Sequence, residues 1–352
     1  MKSSTHLMEL PRKILVGNNL ISELGNFIRD INNGISTVVV ISGESIKNNF
    51  ENKIKGSLDS YGIKNYWFIR KEASFDAVSK ITSDIEKLNL DLILGIGGGK
   101  SVDVGKMIAY SLKKPYLSIP TSASHDGISS PFVSLKGSNK PHSLKVNTPI
   151  GVLADIKLIS EAPTRLLSSG CGDLIGKLTA VKDWELARDE KDEYFGTYSA
   201  HLAKLSADII MNKSKELLIN ENGVRTIIEA LISAGVAAGI AGSSRPCSGS
   251  EHLFSHALEY ITDGKCGLHG ERVGLGTIIM ARLHDMDFEA IISVLENVKA
   301  PIKASQINAT EKEIVQSLIM AQDLRPERYT ILSKLKLDKK SAYELAKSTK
   351  VI

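Results

Sequence analysis

Leu90-Asp91-Leu92-Ile93-Leu94-Gly95-Ile96-Gly97-Gly98-Gly99-Lys100-Ser101-Val102-Asp103 is the stretch on which the fold turns. Its apolar front half reads as a buried strand, and from Val102 to Leu112 apolar residues recur at helical spacing. A strand that stops in consecutive glycines and turns into a helix exposes backbone N–H groups at the positive end of the helix dipole. That arrangement binds phosphate or pyrophosphate. A ligand-free tight turn is the competing reading, since glycine clusters are common in strand-to-helix turns. Three adjacent glycines beside Lys100 favour the phosphate reading.

Two well-known glycine loops do not fit. A Walker A loop needs glycine where Leu94 stands, and the G-x-G-x-x-G fingerprint needs glycine at Lys100 or Val102. The loop is not on the first strand either. Thr37-Val38-Val39-Val40-Ile41 and Tyr66-Trp67-Phe68-Ile69 precede it as strand candidates, so an ordinary Rossmann first turn is excluded.

Outward from the loop, the first half alternates strands near 37–42, 66–70 and 91–96 with helices near 45–61, 75–88 and 101–112. A strand at Tyr116–Ile119 ends in Pro120, and another is expected at Val152-Leu153-Ala154, running into Asp155. Residues 131–146 read as a hairpin around Gly137-Ser138-Asn139, set off the main sheet. Beyond residue 160 only helical periodicity remains: 173–188, 196–218, 223–241, 250–261, 271–284, 287–297, 310–321 and 340–348. The pattern predicts a Rossmann-like α/β N-terminal domain with a mostly parallel sheet over residues 1–160. An all-helical C-terminal domain over 161–352 follows, with the boundary at Glu161-Ala162-Pro163.

Composition narrows the function. At 352 residues, with 42% hydrophobic and 24% charged residues, the chain has ample core for two domains. A net charge of +4 and 5% aromatics argue against a nucleic-acid partner. Cys171, Cys247 and Cys266 form no C-x-x-C pair, and their odd count suits a reducing cytosol. Met1–Leu10 lacks a secretory h-region. The apolar stretch Ala230–Gly242, rich in Gly and Ala, is too short to span a bilayer and reads as a close-packed core helix. A cytoplasmic protein with no membrane insertion is expected.

The helical half holds a candidate metal constellation. Asp173 follows Gly170-Cys171-Gly172 and begins the predicted helix, where a carboxylate also serves as an N-cap. His252 and His256, four apart, project from one helix face opposite Leu253, Phe254, Ala257 and Leu258. His269 sits in the flexible-looking Gly267-Leu268-His269-Gly270. Imidazole and carboxylate together suit a divalent ion such as zinc, with a position left for substrate. Taken singly, each residue has a structural reading, and His-x-x-x-His without a glutamate after the first histidine is not a zincin motif. Spacing alone leaves the site open.

Taken together and in order, these segments resemble the sn-glycerol-1-phosphate dehydrogenase family, within the superfamily of iron-type alcohol dehydrogenases, glycerol dehydrogenase and dehydroquinate synthase. The matching stretches are Glu9-Leu10-Pro11-Arg12, Gly97 to Asp103, Pro120-Thr121-Ser122-Ala123-Ser124-His125-Asp126-Gly127, Ala154-Asp155, Gly170-Cys171-Gly172-Asp173, Ser250 to His256, and His269-Gly270. The glycine triplet is shared across the superfamily. Thr121 to Gly127 joined to the later Asp/His/His set is what singles out this family.

The resemblance implies a dehydroquinate-synthase-like architecture and a set of site residues. Gly97, Gly98, Gly99, Lys100, Ser101, Val102 and Asp103 would hold the cofactor pyrophosphate. Thr121, Ser122, Ala123, Ser124 and Ser130 would line the rest of the NAD(P) site. Asp173, His252 and His269 would bind one zinc ion per subunit, and Asp126, Asp173 and His256 would form the catalytic and substrate-binding group. The implied reaction is reversible reduction of dihydroxyacetone phosphate to sn-glycerol 1-phosphate, the backbone of archaeal membrane lipids, by an oligomer of identical chains. Lys145, Lys177, Arg165 and Arg245 are candidates for the substrate phosphate. Glu44, just past a strand end, is a candidate for the ribose 2′-hydroxyl or simply a turn residue. A polyol dehydrogenase acting on an unphosphorylated substrate and a non-catalytic nucleotide-binding protein of the same fold are the alternatives.

Overall fold

The computed structural model describes residues 6–137 and 143–352. It divides into two compact units, one running through Pro163 and the other built from Thr164 onward together with Ser124–Asp126.

The first unit is a six-stranded parallel sheet. Its strands are β1 (Lys13–Gly17), β2 (Thr37–Ser42), β3 (Lys64–Ile69), β4 (Leu92–Gly97), β5 (Tyr116–Pro120) and, after the short hairpin β6 (Phe132–Val133) and β7 (Leu144–Lys145), β8 (Gly151–Asp155). The order across the sheet is β1-β8-β5-β4-β2-β3. Helices α1 (Leu24–Ile31), α2 (Glu44–Asp59), α3 (Phe75–Ile85), α4 (Gly99–Ser111) and α5 (Ile156–Ser160) complete the unit. β2 shows why the sheet is covered on both faces: Val38 and Val40 join one apolar cluster, and Val39 and Ile41 join another. Alternate side chains leave a strand on opposite faces, so an unbroken apolar run needs cover on both sides. The expected strands and the hairpin pairing are present, although the hairpin's Ser138 and Asn139 lie outside the described residues. The edge strand β1 and helix α1 have no counterpart in the sequence reading. Lys13-Ile14-Leu15-Val16-Gly17 is a short, partly exposed run with little periodicity to mark it.

Two glycines bring α4 down onto the sheet. A methyl group at Gly95 would sit 2.1 Å from the Tyr116 hydroxyl, and one at Gly105 would sit 3.1 Å from the Gly95 Cα. The Tyr116 hydroxyl donates to the Val102 carbonyl at 3.0 Å and fixes the first turns of α4 over β4. Lys106, fully buried, donates to the carbonyls of Gly127, Ser130 and Phe132 at 2.7–2.9 Å, which ties the loop before β6 to the same helix.

The second unit is helical: α6 (Thr164–Ile175), α7 (Lys177–Lys191), α8 (Thr197–Lys213), α9 (Glu221–Ala241), α10 (Ser250–Ile261), α11 (His269–Leu283), α12 (Phe288–Asn297), α13 (Glu311–Leu324), α14 (Ile331–Leu335) and α15 (Lys339–Ser348). Two expectations are corrected here. The single helix expected over 173–188 is two helices meeting at Gly176, so Asp173 lies in the last turn of α6 and is not an N-cap. His269 is the first residue of α11, not part of a flexible stretch. Both differences have one cause. A methyl group at Gly172 would lie 2.3 Å from the Gly270 carbonyl oxygen, and one at Gly270 would lie 1.8 Å from the Ser169 carbonyl oxygen. Gly-Cys-Gly and His-Gly are therefore helix-crossing residues, and their small size reads as loop in a sequence. By length and composition α9 could cross a membrane, but 67% of its apolar window is buried inside the protein, where it packs on α6 and α8.

Candidate active site

The glycine loop forms one candidate site, within the first unit. Gly97 takes φ +148°, a value reserved for glycine, and its carbonyl accepts from Thr121 N at 3.0 Å. Gly98 is the N-cap of α4 and has no side chain to cap with, so the helix start is not occupied by one of its own side chains. Thr121, Ser122 and Ser130 are buried nearby in the sequence-adjacent loops, and Lys100 is exposed. Ser101 is fully buried, and its hydroxyl accepts from Arg70 Nε at 2.8 Å. Asp103 Oδ2 accepts from Ser134 N at 3.0 Å, and its buried Oδ1 has no hydrogen-bond partner among the described residues. Val102 faces the core. Ala123 is buried, and the Ser124 carbonyl accepts from the Ser169 hydroxyl at 3.2 Å within the helical unit.

A second candidate site lies wholly in the helical unit. α6, α10 and α11 bring one ligand atom each from Asp173, His252 and His269 within 4.8 Å of one another. Asp173 Oδ1 stands 3.3 Å from His252 Nε2 and 3.6 Å from His269 Nε2, yet among the described residues this buried oxygen has no hydrogen-bond partner. Three potential ligand atoms converging without a hydrogen bond between them form a donor set that fits a divalent cation. Tautomer control completes the fit. Glu251 Oε1 lies 2.7 Å from His252 Nδ1, so an N–H there leaves the Nε2 lone pair facing Asp173. His256 is buried on the same face of α10, its ring centroid 6.4 Å from that of His252 and 6.1 Å from that of His269. His125 meets His269 edge-on at 6.0 Å.

A buried layer holds these groups in place. Glu251, fully buried, also accepts from Gly249 N and from the Thr179 hydroxyl. Asp183 accepts from Ser250 N at 2.6 Å through Oδ2, and it meets Ile331 N and His284 Nε2 through Oδ1, which anchors the first turn of α10. Glu271 caps α11 through Leu268 N at 2.6 Å and pairs with Arg165, which fixes the turn that carries His269. Lys177 is completely buried and bridges Asp173 Oδ2 at 3.0 Å and Asp126 Oδ2 at 2.7 Å. The Asp126 amide also donates to Asp173 Oδ2.

The electrostatics follow from this packing. Burial would raise the Asp173 carboxyl, but Lys177 and the two imidazoles hold it well below the usual carboxylate range. Burial would lower Lys177, but Asp126 and Asp173 carry it above the ordinary lysine range. Burial lowers His269, whereas at His252 the neighbouring Asp173 and Glu251 carboxylates outweigh burial and raise the imidazole.

A chain from Nitrosopumilus maritimus named glycerol-1-phosphate dehydrogenase [NAD(P)+] is 50% identical over 351 residues, covering 100% of this chain and 98% of its own length. One of the same name from Cenarchaeum symbiosum is 47% identical, covering 99% and 97%. The chain belongs to the glycerol-1-phosphate dehydrogenase family. The iron-containing alcohol dehydrogenase family model matches residues 15–163. Among solved structures, glycerol dehydrogenase from Schizosaccharomyces pombe superimposes with TM-score 0.83 at 21% identity, covering 99% of this chain and 91% of that one. A likeness at that level establishes the shared fold of this glycerol-1-phosphate dehydrogenase family member.

Within the family framework, three of the four cations suggested for a substrate phosphate already have carboxylate partners. Lys177 pairs with Asp126 and Asp173, Arg165 with Glu271, and Arg245 with Glu193. Lys145 is exposed on β7. The roles of Glu251 and Asp183 are absent from the sequence reading. The signal for Glu251 is its place directly before His252, and no pattern in the sequence marks Asp183.

Proposed function

We propose that this chain catalyses the reversible, NAD(P)-dependent reduction of dihydroxyacetone phosphate to sn-glycerol 1-phosphate, with zinc held by Asp173, His252 and His269. The observation that carries the reading is the buried Asp173 Oδ1, which faces two imidazole nitrogens without hydrogen-bond geometry. The full-length likeness to chains named for this activity supports it. The product would supply a glycerol phosphate backbone for membrane lipid synthesis. The protein is read as cytoplasmic and homo-oligomeric.

When bound, zinc supplies Lewis-acid polarisation of the substrate carbonyl, and the reduced dinucleotide supplies the hydride. The chain's own residues do the rest. Backbone N–H groups at Gly98, Gly99 and Lys100 receive the pyrophosphate, because the glycine N-cap leaves the start of α4 unblocked, whereas the Ser101 amide already donates to the Gly98 carbonyl at 2.8 Å. Thr121, Ser122, Ala123, Ser124 and Ser130 line the remainder of that site. Lys177 is locked as an ammonium between two carboxylates, so Asp173 stays ionised toward the metal position and Asp126 is fixed in one orientation. Asp126 keeps 18% of its side chain exposed, which leaves it able to hydrogen-bond a substrate hydroxyl. His256, on the same helix face as His252, is the second group placed to hold or pass a proton.

The test is NADH oxidation with dihydroxyacetone phosphate set beside dihydroxyacetone, followed by chiral analysis of the glycerol phosphate formed. Strong preference for the phosphorylated ketone and a single sn-1 product are expected. Equal rates with the unphosphorylated ketone would place the chain with polyol dehydrogenases instead.

A further inference from the structure

Among the cations at the carboxyl edge of the parallel sheet that the proposed reaction leaves unused, Arg70 is the half-buried one held against the glycine-loop helix. Arg70 directly follows β3, and its amide donates to the Ser42 carbonyl at the end of β2 at 2.9 Å. Its Nε donates to the Ser101 hydroxyl in the first turn of α4 at 2.8 Å. A methyl group at Gly43 would lie 3.1 Å from Arg70 Nη2, so the guanidinium lies against the backbone just past β2. The group is half-buried, and among the described residues it has no ion-pair partner. Neighbouring Glu72 hydrogen-bonds the Ser74 hydroxyl instead.

Position gives this cation a ligand class. In open parallel sheets, ligands bind at the carboxyl ends of the strands, and the strand next to the phosphate-binding turn ends beside the adenosine ribose. Here β4 carries the glycine turn and β2 is its neighbour, so the ribose falls at Ser42-Gly43-Glu44. A guanidinium presents a planar fork that suits a phosphate monoester, and it keeps its charge when partly buried. Glu44, exposed at the first position of α2, occupies the same strand end with the opposite charge.

We propose that Arg70, lying against Gly43 and the first turn of α4, forms a subsite for a phosphate monoester on the adenosine 2′-oxygen and so admits the phosphorylated dinucleotide as well as the plain one. The inference rests on the dinucleotide reading above and adds the residue that sets cofactor choice. A purely structural Arg70, bracing the glycine loop through Ser101, makes a different forecast: its removal would weaken both dinucleotides alike.

The experiment measures dissociation constants of NADH, NADPH, 5′-AMP and 2′,5′-ADP for the wild-type protein, Arg70→Met and Arg70→Lys, with thermal midpoints alongside. In Arg70→Met, NADPH and 2′,5′-ADP are expected to bind about ten- to a hundred-fold more weakly, as for loss of a charge-assisted hydrogen bond, with NADH and 5′-AMP within about twofold of wild type. Arg70→Lys, which keeps the charge and is the gentler change for folding, is expected to fall between. Equal losses for phosphorylated and plain ligands, or no loss in either variant, overturn the subsite. So does a wild-type protein that binds NADH but not NADPH, while leaving the dinucleotide reading intact. Failure of wild type to bind any of the four overturns both.

Discussion

The glycine loop and the Asp173 cluster, the two sites proposed for opposite charges, are built by opposite means. At Gly97–Gly99 the recognition groups are backbone N–H donors, and the design consists of removing side chains: a glycine N-cap, a glycine-only φ, and Gly95 and Gly105 beneath the helix. At Asp173, His252 and His269 the recognition groups are side chains. Each is held by a further buried side chain, Lys177, Glu251 or Glu271, at 3.0 Å or less from the ligand or from the backbone beside it. The anion site therefore fails when atoms are added, and the cation site fails when atoms are removed. The second site also carries buried charge, which is stable only when fully paired.

Substitutions separate the two modes. The largest effect is expected from His252→Ala, which removes a ligand: bound zinc measured by elemental analysis should vanish, and activity should fall by at least about a thousand-fold, with the fold retained by circular dichroism. Gly270→Ala comes next and breaks the rule that only removal harms this site. Its methyl group has no room against the Ser169 carbonyl, so α6 and α11 must separate, and zinc affinity should drop although no ligand has changed. Lys177→Met leaves the buried Asp173 carboxylate facing the partly exposed Asp126 carboxylate and should cost about 3–5 kcal/mol, read from the denaturant midpoint. Glu251→Gln keeps the shape but weakens the grip on the His252 tautomer, and a competition titration should show about ten- to a hundred-fold weaker zinc. Gly97→Ala is expected to have the smallest effect on chemistry. It forces a side chain into φ +148° against Ser101, raising the dissociation constant for NADH while bound zinc stays unchanged.

The two regions also differ in how well a sequence displays them. The glycine loop is local: strand, turn and helix lie within the twenty consecutive residues Leu92–Ser111, so periodicity and composition are enough to place it. The parallel sheet follows from the same alternation, and the weakly patterned edge strand β1 and the short helices α1 and α5 escape it. The cation site is assembled across nearly a hundred residues of chain, from Asp173 to His269, and spacing sees only His252 and His256 as a pair. The helical crossing of Gly172 on Gly270 is what brings the third element in, and glycine in a sequence signals a loop more readily than a close helix contact. The same limit explains Lys177. Read alone it is a cation available for phosphate, but two carboxylates, one of them fifty-one positions upstream, already hold it.

Anomalous diffraction at the zinc edge, from crystals of the purified protein grown with zinc, bears most directly on the metal assignment. One strong peak per chain is expected within about 2 Å of Asp173 Oδ1, His252 Nε2 and His269 Nε2 together. A zinc peak bound elsewhere, with those three atoms left uncoordinated, would contradict it.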